Sequence, residues 1–431
     1  MEKTQTVRLG VLGCGTVGTS FYQLITQQAA EIQRRTGLAL EITRVAVRDT
    51  SKTRDGVDQR VLTGNPMEIV QSPDIDIVVE TMGGVDRTRE LVLAAFAAGK
   101  PVITANKELL ALHMPELFIA AGEAGVDLEL EASVAAGLPF IRALRESLIG
   151  EDITRVMGIL NGTTNYMLSQ MTENGADYGD VLAEAQRLGF AEADPTADVG
   201  GFDAGSKAAI IATLAFGESV RAGDVHIEGI ESITSGDIAN AAHLGYIIKL
   251  LGIVEKNDDG SVAARVHPAL VPLDHPLASV RDSFNAVFVE GGGVDQVMFY
   301  GRGAGGHPTA AMMVGDTVNA AINLRSGCAN SLGELSPATI RSIDDIKSAF
   351  YLNIDAVDQP GVLAEIAGVF GDRGVSIGSM EQEKADDGSA RLVFITHSAI
   401  ERNFRDTLDA LEQLDAVKNI GQVLRVISSE R

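Results

Sequence analysis

The chain has little cysteine, a deficit of positive charge and no long apolar run, and each lack narrows its role. Two cysteines, Cys14 and Cys328, stand far apart among 431 residues. Such a pair builds neither a disulfide framework nor a cysteine zinc site, so a reducing compartment is expected. Lysine and arginine number 35 against 59 acidic residues, a net charge of −24. Nucleic acid and anionic membranes select basic surfaces, so neither is an expected partner, although a local basic pocket for a phosphate stays compatible. No stretch reaches the roughly 18 apolar residues of a membrane span. The opening residues MEKTQTVRLGVLGCG enter a strand directly, without the apolar region of a signal peptide. A cytoplasmic protein is the expectation.

What is present suits a globular protein: 45% of residues are hydrophobic and 22% charged. The length exceeds one ordinary core, so two or three domains are expected. Residues 7–12 read as a short apolar strand, followed at once by Gly13-Cys-Gly15-Thr16-Val17-Gly18 and then a helical stretch. In this G-x-G-x-x-G the first glycine allows the tight turn, the second lets backbone approach a pyrophosphate, and the third lets helix pack on strand. A second strand leads to Arg48-Asp49, with Lys52 and Arg54 close behind. An acidic residue there binds an adenosine ribose, whereas arginine can hold a 2′-phosphate, so NADP is favoured and NAD stays open. Further strand-to-helix units follow, one through Glu80-Thr-Met-Gly-Gly84 and one through Thr104, Asn106 and Lys107. This rhythm predicts an α/β, Rossmann-type parallel sheet, with ligand outside the carboxyl ends of its strands.

The middle of the chain is organised around residues 189–207, GFAEADPTADVGGFDAGSK. Four carboxylates, Glu192, Asp194, Asp198 and Asp203, crowd one lysine, Lys207. Asp203 and Lys207 are four residues apart on a predicted helix, on one face; a solvated acidic loop with a surface ion pair is the plainer reading. Upstream, a strand ends in Asn161-Gly162-Thr163-Thr164-Asn165, which opens a helix whose first amides can bind a carboxylate. Near residue 300, Tyr-Gly-Arg-Gly303-Ala-Gly305-Gly306-His-Pro-Thr309 precedes an apolar helix, and its glycines favour close approach to a cofactor. His307 is expected to serve as a turn residue. Residues 245–254 and 284–289 are expected to be sheet or core-helix material.

Taken together, GxGxVG, TANK, EASVxxGxP, LRESL, GILNGTTNY, AExDPxxDVxGxDxxxK and GRGAGGxPTA resemble homoserine dehydrogenase in content and order, over residues 7 to 325. The resemblance implies a cofactor loop at Gly13 to Gly18, with the loop of Gly303, Gly305 and Gly306 closing over the nicotinamide side; Arg48 and Thr104, from their places at strand ends, and Gly189 are also expected on the cofactor. It implies Lys107 near nicotinamide and substrate, and Asp203 with Lys207 as the catalytic pair. Glu192 and Asp198 would meet the ammonium or hydroxyl end of an amino-acid substrate, and Gly162 with Thr163 its carboxylate. Glu131 and the carbonyls of Val134, Ala136 and Leu138 resemble the family's monovalent cation site, usually sodium. The family's glycines are here partly alanine, Ala135 and Ala136. Hydride transfer to an aldehyde needs a proton donor for the developing alkoxide. Lys207 is the expected general acid, oriented by Asp203, with Lys107 as the competing donor.

Residues 347–427 read as βαββαβ, a ferredoxin-like order, and Asp358-Gln-Pro-Gly361 entering a helix resembles the ACT regulatory module. Threonine is the effector this implies; the plainer alternative is a structural pairing module. The expected divisions are 1–134 for the dinucleotide domain, completed by a returning helix near 308–325, and 135–325 for substrate binding and dimerisation. Residues 326–346 would be a linker and 347–431 the regulatory domain, in a homodimer or homotetramer. A phosphorylating semialdehyde dehydrogenase would need a thiolate, and neither cysteine is placed for one. A non-catalytic amino-acid sensor is the alternative of another class, against which the Asp203/Lys207 pair argues.

Overall fold

The computed structural model describes residues 5–427 apart from 331, 332, 334 and 385–388. Parts of the expected linker and of the expected C-terminal module therefore lie outside the described residues. Contacts divide the chain into two compact units. One contains residues 1–156, 206–224 and 285–338, the other residues 157–205, 225–284 and 339–431.

In the first unit, β1 (Gln5–Leu12), β2 (Leu38–Ala46), β3 (Leu62–Thr63), β4 (Ile77–Glu80), β5 (Val102–Thr104) and β6 (Leu128–Glu129) form one sheet. Its order is β3-β2-β1-β4-β5-β6, all parallel. This is the doubly wound order in which the chain reverses direction beside β1. The helices are α1 (Thr16–Thr36), α2 (Pro66–Gln71), α3 (Asp86–Ala97) and α4 (Lys107–Ala124). β4 is buried at every residue, as a strand covered on both faces must be. Helix Gly306–Ser326 returns to this fold: Ala310, Met313, Ala320 and Ala321 share a core with Val7, Leu9, Phe21 and Ile25. Its small residues allow that close packing.

In the second unit, strands Tyr246–Lys256 and Val262–Pro272 pair antiparallel over their full length. Helix Gly162–Asn174 belongs to the same unit. The expected βαββαβ order appears as strand Lys347–Ala356, helix Val362–Asp372, strands Ile377–Lys384 and Ala390–Thr396, helix Glu401–Leu411 and strand Val417–Val426. Phe350 and Phe404 stack in its core, with centroids 3.9 Å apart and planes 7° apart. Its sheet does not stand alone. Strand Val417–Val426 also pairs in parallel with Val262–Pro272, at Ala269–Arg425 and Leu270–Val426.

Helix Gly162–Asn174 is anchored by a buried lysine. The Lys249 amine donates to Asn165 Oδ1 at 3.0 Å and to the Val280 carbonyl at 2.6 Å. The Asn165 amide in turn donates to the Asp282 carbonyl at 2.8 Å. Burial lowers the Lys249 amine to about 8. The folded chain therefore releases this proton between about pH 8 and about 10.4 while the unfolded chain still holds it. Lys249 thus makes stability rise with pH across that window. Melting temperatures of wild type and Lys249→Met across it should show the rise in the wild type and its loss in the variant.

Candidate active site

The carboxyl ends of β1 and β4 lie side by side, Leu12 paired with Glu80. The chain leaves both strands here, and a cleft of about 850 Å³ opens between Gly13–Gly15 on one wall and the turn after β4 on the other. Gly13 has φ +102, and a Cβ there would lie 2.8 Å from the Thr81 and Met82 backbone. A Cβ on Gly18 would meet the Gly13 carbonyl at 2.5 Å, whereas one on Gly15 would meet nothing within 4 Å. The protein's own packing therefore demands the first and third glycines. The second faces open space at the start of α1, where Thr16 and Val17 begin the helix and no side chain caps it. A phosphate is the natural occupant of such an end.

Glu80 shapes the opposite wall. Its fully buried carboxylate accepts from the Met82 and Gly83 amides at 2.7 and 3.0 Å and from the Thr104 hydroxyl at 2.6 Å. Burial raises its pKa against the pull of those hydrogen bonds. Thr104, opposite Glu80 in the sheet, is wholly buried, so its hydroxyl serves the wall and not a ligand. Asn106 caps α4 by accepting from the Leu109 amide at 3.1 Å and donates to the Gly84 carbonyl at 2.7 Å. Lys107, half-buried, is the first residue of α4. The part played by Glu80 was missed in the sequence, where an acid before Thr-Met-Gly-Gly was its only signal.

Four cations line the cleft: Arg48, Lys52, Arg54 and Arg87. β2 ends at Ala46, so Arg48 stands two residues beyond it, exposed. Arg54 reaches back to the Cys14 carbonyl at 3.2 Å. The Asp49 carboxylate turns instead to the Ser51 hydroxyl and amide at 2.6 and 2.9 Å, which lowers its pKa. Arg87, in the first turn of α3, was not singled out in the sequence; only its basic character could have marked it.

The glycine loop near residue 303 packs on the same unit. A Cβ on Gly306 would touch the Ser20 hydroxyl at 2.7 Å and the Thr16 methyl at 2.9 Å, fixing the loop on the start of α1. Gly305 has φ +120, and Gly303 lies against the buried Asn285 side chain. His307 is an exposed residue in the first turn of the returning helix, where the sequence led us to expect a turn.

In the second unit, Asn161 draws two carboxylates together. Its Nδ2 donates to Asp198 at 2.6 Å and to Asp203 at 2.9 Å, while its Oδ1 caps helix Gly162–Asn174 through the Thr164 amide at 2.9 Å. Asp203 and Lys207 lie one turn apart on helix Phe202–Phe216, only 7% and 8% exposed. The plainer reading of a surface ion pair therefore fails for these two residues. The Thr163 hydroxyl is committed to the Phe190 carbonyl at 2.6 Å, so its backbone amide, not its side chain, is the group left for a ligand. Glu192 is exposed, and Gly189 is the left-handed C-cap of helix Tyr178–Leu188, φ 78.

Glu131 accepts from the Ile141 and Arg142 amides, one on each oxygen, both at 2.7 Å. Burial raises its pKa. The Leu138 carbonyl accepts from the Phe140 amide at 2.9 Å, while no donor among the described residues reaches the Val134 or Ala136 carbonyl. Ala135 holds φ +48, so alanine here keeps the backbone a glycine would adopt.

Replacing Glu80 by leucine would remove the acceptor of two part-buried amides, at about 1 kcal/mol each. Glu80→Leu should raise the KM for the dinucleotide and lower the melting temperature. Glu80→Gln, which keeps an oxygen for both amides, should leave that KM near wild type.

Residues 13–131 match the model of the homoserine dehydrogenase NAD-binding domain, residues 139–318 that of homoserine dehydrogenase, and residues 350–416 that of the ACT domain. The homoserine dehydrogenase of Corynebacterium glutamicum is 48% identical over 425 residues, 97% of this chain and 95% of the relative. The crystal structure of a homoserine dehydrogenase from Thiobacillus denitrificans shares the fold at TM-score 0.93 and 39% identity, over 98% of this chain and 99% of that one. A hyperthermophilic archaeal homoserine dehydrogenase, solved in complex with NADPH, covers 74% of this chain and 98% of its own at TM-score 0.64 and 28% identity. Sequence and fold thus agree over nearly the whole length: the chain belongs to the homoserine dehydrogenase family of NAD(P)-dependent oxidoreductases and carries a C-terminal ACT domain.

Proposed function

We propose that this chain interconverts L-aspartate 4-semialdehyde and L-homoserine with NADP, Lys207 moving the proton and Asp203 holding that lysine charged and in place. The observation that carries the reading is the Asn161 amide drawing Asp198 and Asp203 together, with Lys207 one turn along the same helix as Asp203. When bound, the dihydronicotinamide supplies a hydride to the aldehyde carbon. Lys207 gives a proton to the oxygen as its negative charge develops and takes one back in the oxidation. Asp198 and Glu192 meet the substrate ammonium. The Gly162 and Thr163 amides, at the start of a 13-residue helix, meet its carboxylate. Lys107 is the second candidate for the proton. Lys207→Ala should lower kcat by about 10²–10⁴-fold; near-normal turnover in that variant, with loss in Lys107→Ala, would reverse the assignment.

NADP is favoured because four cations line the cleft while Asp49 is engaged with Ser51. One of the relatives is solved with NADPH. On that reading Arg48, Gly13, Gly15, Thr16, Val17 and Gly18 hold the adenosine phosphates. Thr104 acts through the wall, and Gly303, Gly305 and Gly306 close on the nicotinamide side. Following nicotinamide absorbance with L-homoserine, Arg48→Ala should raise the KM for NADP about tenfold or more, a hydrogen bond to a charged group being lost. The KM for NAD should stay unchanged.

A sodium ion fits Glu131 with the Val134, Ala136 and Leu138 carbonyls: hard oxygen donors suit it, and two of those carbonyls have no donor among the described residues. The ion would fix the 131–138 turn. Threonine is the effector we assign to the ACT module. The chain is read as a cytoplasmic homodimer or homotetramer. No helix among the described residues is long and apolar enough to cross a membrane.

A further inference from the structure

The last strand of the ACT module carries an arginine that joins a residue of the module to one outside it. Arg425 is 7% exposed. Its guanidinium grips Glu228 through both terminal nitrogens, at 2.9 Å each, and Glu401 at 3.0 and 2.6 Å. Glu401 begins the second helix of the module, whereas Glu228 lies in the segment that follows strand His226–Ile227. Burial pushes the Glu228 carboxyl up, but hydrogen bonds from His226 and Arg425 outweigh it and hold the group well below the ordinary carboxylate range.

The segment around Glu228 lies directly on the loop that carries the substrate carboxylates. The Ile230 amide donates to the Val199 carbonyl at 2.9 Å, and the Glu228 amide to the Val266 carbonyl at 2.8 Å. A Cβ on Gly229 would meet the Val199 carbonyl at 2.4 Å and Gly200 Cα at 2.8 Å. Gly201, φ +83, approaches the Glu228 carbonyl, and Gly205 has room for no more than a hydrogen beside Ile227. Asp198 immediately precedes Val199, and Asp203 lies between Gly201 and Gly205. Every link from Arg425 to those carboxylates is thus a direct contact.

We propose that Arg425 and Glu228 are positioning residues for homoserine. Through the 227–230 segment they set the placement of Asp198 and Asp203, and so connect the ACT module to substrate affinity. This inference rests on the reading of Asp198 and Asp203 as substrate-binding groups. A bidentate guanidinium fixes both distance and angle, so a shift of the module's last strand displaces Glu228 and the backbone behind it. A purely structural ion cluster would alter melting alone.

The test uses the full-length enzyme, with KM for homoserine, KM for NADP and melting temperature read together. Arg425→Gln and Glu228→Gln should each raise the KM for homoserine about fivefold or more and leave the KM for NADP unchanged. The double variant should do no more than either alone, because both cut the same link. Gly229→Ala presses on the Val199 carbonyl without touching the ion cluster and should give the same selective change, which keeps the test valid should Arg425→Gln not fold. An unchanged KM for homoserine in Arg425→Gln or Gly229→Ala, while Asp198→Asn raises it, overturns the inference and spares the substrate reading. An unchanged KM in Asp198→Asn overturns the substrate reading, and the inference falls with it.

Discussion

Two carboxylates sharing one amide donor are the constraint on which the helix start at Gly162 depends. Asp198 and Asp203 both turn to Asn161 Nδ2. Like charges so close repel, and the amide offsets that repulsion by giving one hydrogen to each. Asn161 is held for the task from its other end, where Oδ1 caps helix Gly162–Asn174. An aspartate would cap that helix as well, yet it would add a third negative charge and donate nothing. The helix is pinned one turn further on, where Asn165 meets the Lys249 amine and the Asp282 carbonyl. A buried lysine therefore steadies a helix start, the helix start aims an amide, and the amide places the carboxylates.

The cofactor end follows a different logic, in which backbone does most of the binding and side chains hold the backbone. Gly13 and Gly18 are forced by contacts within the protein, and Gly15 is left facing the cleft. On the opposite wall Glu80, a buried polar group satisfied by neighbouring amides, fixes a turn, as Asn161 fixes a helix start in the second unit. The carboxylate tolerates its burial because three donors reach it. Arg48, Lys52 and Arg87 line the same cleft and are exposed.

The parts legible in the sequence are those whose physics is local. G-x-G-x-x-G, the helix starts and the Asp203/Lys207 spacing each depend on a few adjacent residues, so pattern sufficed. Asn161 stands at the helix start the sequence marks, and it caps that helix; its second role uses the far end of the same amide, toward residues 37 and 42 positions away. Thr104 was assigned to the cofactor from its place at a strand end, but the register of β4 and β5 puts it opposite Glu80 and commits its hydroxyl there. Glu192, Asp194, Asp198 and Asp203 looked alike as one acidic cluster. Folding separates them into an exposed loop residue (Glu192), a turn former that accepts from Thr196 (Asp194) and the pair on Asn161. No local pattern announces a contact between Arg425 and Glu228, 197 positions apart.

The attachment of the ACT module shows why that last contact matters beyond its own energy. In sequence the module is a self-contained βαββαβ unit, and its core residues do cluster among themselves. Its sheet nevertheless runs on into Val262–Pro272 through only two register positions of parallel pairing, with the Ile427 amide adding one bond to the Leu270 carbonyl at 2.8 Å. Beside it the Asn240 amide donates to the Tyr351 hydroxyl at 3.2 Å. The Arg425 fork sits at one of the two paired positions, and each of its carboxylate partners comes from a different element. Removing Arg425 would leave the Glu401 carboxylate, only 7% exposed, buried without its match, a large penalty. The fork thereby joins the module's last strand and second helix to the Glu228 segment at the seam itself.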